Sequence, residues 1–168
     1  MSEFTRIVDT RQLPAQALRL AADAAECAAL AERFLLVAVN RLEAVVELEP
    51  DGAAVRASGR VKADVVQSCA VSGEDLAVRI DEPVELRFVP ETSAWRPDEE
   101  IELEAHELDE IPFRGTQFDL GEAIAQSLAL AIDPYLTGPD AERARREAGL
   151  LDPADSGPFA ALKALRKD

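Results

Sequence analysis

Two cysteines, one histidine and a dense run of carboxylates hold the reactive side-chain chemistry available to this chain. A cysteine nucleophile needs a basic partner to draw off its proton. The single histidine, His106, sits inside Asp98-Glu99-Glu100-Ile101-Glu102-Leu103-Glu104-Ala105-His106-Glu107-Leu108-Asp109-Glu110. Eight of those thirteen residues are acidic and none is Lys or Arg. Neighbouring carboxylates favour the imidazolium, which suits charge balance better than general-base work. A catalytic Cys69–His106 pair is therefore disfavoured, and no catalytic residue is assigned. No serine nucleophile elbow, phosphate-binding glycine loop or dinucleotide fingerprint is present either.

Metal binding fares no better. Structural zinc sites pair their thiols as Cys-x-x-Cys, and Cys69-Ala70-Val71-Ser72 supplies only the first. Cys27 falls at a helical core position. Both are read as reduced thiols, a disulfide between them being the minor alternative. Cys69 itself reads as a small hydrophobe at a strand end rather than a reactive group. The acidic run lacks the Gly and Asn spacing of a calcium loop. No metal or other cofactor is expected.

The chain has 168 residues, with 33 Asp+Glu against 18 Lys+Arg and a formal charge of −15. That balance repels phosphate backbones, and aromatics at 5% offer few platforms for stacked bases. Direct nucleic-acid binding is thus disfavoured. Plain solubility and a basic partner are the two readings of the charge. Its distribution separates them in part: residues 74–122 carry 16 acidic and 4 basic groups, a net of −12. No apolar run approaches the ~18 residues of a membrane span, and Met1-Ser2-Glu3 does not open a signal peptide. The expected location is cytoplasmic.

The elements that must position these groups are legible in outline. Phe4, Ile7 and Val8 mark a short first strand. Ala24, Cys27, Ala28, Ala31, Phe34 and Leu35 recur at helical spacing over 23–35, and Asp23 with Glu26 makes a capping box. Strands follow at 37–49 and 55–66, joined by the turn dipeptide Asp51-Gly52, and at 76–89. Leu42, Ala44, Val46 and Leu48 share one face of the first of these. Ile101 to Glu104 reads as a further short strand within an acidic loop at 90–116. A second helix spans 119–132, with Asp119 and Glu122 as its capping box and Asp133-Pro134 as its stop. The fold class is α+β: an antiparallel sheet, curved or a partly closed barrel, covered by the two helices. Residues 1–138 form one domain and 139–168 a C-terminal helical tail. In that tail Phe159, Leu162 and Leu165 fall at helical spacing, with Lys163, Arg166 and Lys167 beside them.

The order of features resembles one known family. A long hairpin leads to Val65-Val66-Gln67-Ser68-Cys69-Ala70-Val71-Ser72-Gly73 and an acidic insertion. Phe118-Asp119-Leu120-Gly121-Glu122-Ala123-Ile124-Ala125-Gln126-Ser127-Leu128-Ala129-Leu130 and Asp133-Pro134-Tyr135 come next. Gly157-Pro158-Phe159-Ala160-Ala161-Leu162 closes the chain. Over residues 4–168 this resembles the YceD family, the large ribosomal RNA subunit accumulation proteins, in their alphaproteobacterial form. The resemblance implies a factor needed for large-subunit rRNA to accumulate, without an established catalytic activity. Many members carry Cys-x-x-Cys where this chain has Cys69 and Ser72, so a metal-binding role does not transfer. Cys69, Asp119, Leu120 and Glu122 transfer as motif positions of unassigned role.

Together these readings point to a non-enzymatic ribosome-biogenesis factor. Its acidic face, Glu99, Glu100, Glu102, Glu104 and Glu107, would bind a basic ribosomal protein or the pre-ribosomal large subunit. One rival is an rRNA-binding module using Arg143, Arg145 and Arg146 of the tail. The other is an enzyme acting on rRNA or a nucleotide.

Overall fold

Strict alternation builds the centre of the molecule. In a computed structural model, which describes residues 3–91 and 110–149, three long strands lie side by side: β3 (Ala38–Asp51), β4 (Ala54–Ser68) and β5 (Asp75–Pro90). Val39, Leu42, Ala44, Val46 and Leu48 of β3 and Val55, Ala57, Val61, Ala63 and Val65 of β4 all point inward and are buried. A register shift between Val39 and Arg41 lets the inward set continue past Asn40. The two-residue turn between β3 and β4 places Gly52 at φ +64°, a conformation glycine adopts without a Cβ penalty.

The other elements are shorter: β1 (Ile7–Asp9), β2 (Leu18–Ala21), α1 (Ala24–Arg33), β6 (Glu110–Phe113), β7 (Gln117–Asp119), α2 (Leu120–Ala131) and α3 (Ala141–Glu147). Among the described residues the main sheet runs β2-β3-β4-β5-β6, and β1 pairs with β7 in a separate two-stranded sheet. From β2 to β5 the sheet is an antiparallel meander, the cheapest connection. β6 departs from it by lying parallel to the last residues of β5, Arg87–Pro90. The sheet stays open, with β2 and β6 as its edges among the described strands.

Both helices pack on the inward face, α1 against β3 and α2 against β4 and β5. Leu30 of α1 and Leu120, Ile124 and Leu128 of α2 are fully buried there, and the Phe88 and Phe118 rings stack at 4.0 Å. No helix among the described residues is long and apolar enough to cross a membrane.

Three expectations need correction. The stretch 90–116 is not all loop, since Glu110–Phe113 forms β6; four residues interrupted by Pro112 carry no alternation to read. The apolar face of α1 is Cys27, Leu30, Ala31 and Phe34, while Ala24, Ala28 and Leu35 are exposed. The helix ends at Arg33, and Leu35 then turns to φ +55° and swings its side chain into solvent, 92% exposed. Strands β2 and β7 add to the expected set, each too short to show a period of its own. The proposed strand at Ile101–Glu104 lies outside the described residues.

Candidate functional site

The family-motif positions divide between the two ends of α2. At its start, Asp119 is the N-cap: its Oδ1 accepts the N–H of Glu122 at 3.1 Å, filling one of the donors a helix start leaves open. The same oxygen accepts the N–H of Arg6 at 2.8 Å and so ties the N-terminal strand to the helix. Leu120 is fully buried in the core. A Cβ on Gly121 would stand 2.4 Å from the Phe4 carbonyl oxygen and 2.7 Å from the Arg6 nitrogen, so only glycine lets that strand pass. The Glu122 carboxylate takes two hydrogen bonds from Arg33 of α1, at 2.8 and 2.6 Å, and one from Gln126. A bidentate Arg–carboxylate pair fixes orientation as well as charge. Arg6 makes a similar pair with Glu26, whose carboxylate also completes the capping box of α1 by accepting the Asp23 N–H. Asp119, Leu120 and Glu122 are thus the parts of a clasp that holds β1, α1 and α2 together.

The far end of α2 returns to the β4–β5 connection. Gln67, buried at the end of β4, donates to the Asp133 carbonyl at 2.7 Å, and Ala70 N–H donates to Leu136 O at 2.9 Å. Cys69 lies between them, buried, with three backbone N–H groups aimed at its Sγ: Val71 at 3.5 Å, Ser72 at 3.3 Å and Gly138 at 3.3 Å. These donors favour the thiolate. The Ser72 hydroxyl and then the Gly138, Ser72 and Val71 N–H groups pull the thiol down to about 6 against the opposing effect of burial. The single Ser72 proton also faces Glu74 Oε1 at 3.0 Å, so the three N–H groups are the fixed part of this field. Glu74 Oε1 accepts the Asp140 N–H at 2.9 Å as well, which anchors the start of α3. Cys69 is therefore more than a passive hydrophobe at a strand end: it is the acceptor on which two segments converge. Cys27 is a free thiol too, pushed up by burial and by Asp23 and Glu26.

Sequence reasoning found Cys69, Asp119, Leu120 and Glu122 but missed their partners Arg6, Arg33, Gly121 and Gly138. An isolated glycine inside a helical pattern was the one available signal, since it marks close backbone approach. Glu99, Glu100, Glu102, Glu104, Glu107 and His106 lie outside the described residues. Of the tail arginines, Arg143 pairs with Asp140 at 3.0 Å, and Arg145 and Arg146 occupy the last turn of α3.

The outer sheet face is self-neutralising. Asp64 bridges Arg41 and Arg79, Asp81 bridges Arg60 and Lys62, and Arg87 joins Asp51 to Glu110. An arginine engaged in this way must give up a carboxylate before it can meet a phosphate. Among the described residues, no group of three or more His, Cys, Asp or Glu side chains is arranged to hold a metal ion.

A family model described as large ribosomal RNA subunit accumulation protein YceD matches residues 57–166, some 110 of the 168 residues. The matched span holds most of β4, the Cys69 turn, the acidic run, the Asp119 clasp and the C-terminal segment. Residues 4–56, with α1 and β3, precede it. No curated protein and no solved structure matches.

Proposed function

The chain belongs to the YceD family of large ribosomal RNA subunit accumulation proteins, and on that premise we propose that it is a non-enzymatic factor in large-subunit assembly. In this reading its acidic segment holds a basic ribosomal protein, or an assembly intermediate that displays one, away from premature contacts with RNA.

The observation that supports this reading is where the charge is spent. Nine carboxylates of 74–122 belong to described residues. Six of them serve internal partners. Asp81, Glu91, Glu110 and Glu122 pair with basic side chains, Asp119 caps α2, and Glu74 accepts from Ser72 and Asp140. The charge left for a partner is then concentrated in 98–109, with seven carboxylates and no Lys or Arg. Such a segment attracts a basic protein at long range and loses that attraction as salt screens it. The described residues on either side of it are tied to the sheet end, Glu91 by Arg114 and Glu110 by Arg87.

Complementation tests the reading. In cells lacking the chain, the wild type should restore large-subunit rRNA, and a variant with Glu99, Glu100, Glu102, Glu104 and Glu107 all replaced by Gln should not. Full restoration by that variant would remove the acidic segment from the mechanism. Loss of restoration by Cys69→Ala and His106→Ala, in proteins that fold normally, would point to an enzyme instead.

A further inference from the structure

The C-terminal end of α2 is left unusually bare. Leu130 is 89% exposed and Tyr135, five residues on, is 82% exposed, while no basic residue occupies the last turn of α2. Beside it runs a groove of about 500 Å³ lined by Glu82, Val84, Glu85 and Leu86 of β5 and by Leu130 and Ala131. Apolar side chains and the two carboxylates share its lining. Glu82 and Glu85 are both exposed and make no ion pair with the described residues, unlike Asp81 on the same strand and Asp64 on β4. The β5 edge along the groove has no strand partner among the described residues, because β6 reaches only Arg87–Pro90. An occupant of this groove has to bring an apolar row, positive charge for Glu82 and Glu85, and cations for the open carbonyl end of α2.

We infer that this groove is the docking site of the chain's own C-terminal segment, Phe159–Lys167. That segment carries Phe159, Leu162 and Leu165 at helical spacing and Lys163, Arg166 and Lys167 beside them. The connection is long. The start of α3 is anchored on Glu74, and its seven residues advance about 10 Å. Residues 150–158 span about 30 Å when extended, roughly three times the length of α3. A tether of this length holds the segment at roughly millimolar effective concentration. A free basic peptide of the same chemistry would have to exceed that, which favours the segment in cis over a partner.

Hydrogen exchange on the full chain, with its mass checked by light scattering, tests the inference. Leu130→Glu alters an exposed side chain, so that protein should fold, and Leu162→Glu is compared once its circular dichroism matches the wild type. Each is expected to speed exchange in 82–86 and 127–131 by about tenfold, the effect of losing a ~0.1 mM contact at millimolar effective concentration. The double variant should add nothing further. Unchanged exchange in Leu162→Glu would overturn the inference. So would protection that fades on dilution together with a dimer mass, which would assign the groove to a second copy. Protection that arises only on adding a basic protein would assign it to a partner.

Discussion

Asp119 Oδ1 accepts the backbone N–H of Arg6 at 2.8 Å across 113 residues of sequence, while capping its own helix at Glu122. One oxygen thereby closes the fold, joining the N-terminal strand to the last core helix. Asp119→Ala removes both bonds and should destabilise the protein by about 2 kcal/mol, a cap plus a cross-chain hydrogen bond. Asp119→Asn keeps an acceptor and should lose less than half of that. Urea denaturation of the two variants checks the order.

Gly121 is the second closure point. Gly121→Ala would force a methyl group between the helix and the backbone of Phe4 and Arg6, at 2.4 and 2.7 Å. A cost of about 1–3 kcal/mol is expected. Hydrogen exchange should show it concentrated in residues 4–9, because that strand can yield where α2 cannot.

Leu35 should behave in the opposite way. It adopts φ +55° just past the end of α1, where glycine is the usual residue, and its side chain is 92% exposed. Leu35→Gly gives up no packing and relieves the left-handed penalty. Stability should rise by about 1 kcal/mol, or roughly 2–4 °C in Tm for a chain of this size. An unchanged or lower Tm would show that the side chain is held by something other than solvent.

Cys69 should make stability depend on pH. Its folded value near 6 lies below the ordinary thiol value of 9.0, so between those limits the unfolded chain binds more protons than the folded one. The thiolate's contribution is complete above about pH 9 and is lost as pH falls through 6. Stability measured from pH 9 down to 6 should decline in the wild type. Cys69→Ala should be flatter over that window, and weaker at its alkaline end, since the Val71, Ser72 and Gly138 N–H groups lose their acceptor. Parallel curves for the two proteins would mean that the sulfur stays protonated.

The long strands were legible because apolar alternation sustained over more than about ten residues fits an extended, half-buried chain and little else, and Asp51-Gly52 marked their turn. Both major helices were legible from their N-caps, although at α2 the expected box gives way to the Asp119 cap with the Glu122 carboxylate turned to Arg33 and Gln126. What escaped was either short or non-local. Strands β1, β2, β6 and β7 have three or four residues each, and of these only β1 was anticipated. Their pairing is set by partners as distant as Val8 and Phe118. The same holds for the site: a sequence shows Cys69 and Glu122 as motif residues. It does not show that Gly138, 69 positions away, aims its N–H at the sulfur, or that Arg33, 89 positions away, completes the carboxylate. Net charge alone does not show which carboxylates are already engaged: six of the nine described ones in 74–122 serve the fold itself.

Affinity capture from lysate at low salt, comparing the wild type with the protein carrying Gln at 99, 100, 102, 104 and 107, tests the central claim most directly. The wild type should recover a basic ribosomal protein or a large-subunit precursor, release it as salt is raised, and lose it when the five glutamates become Gln. Equal recovery by both proteins, or recovery of neither species by the wild type, would contradict the account.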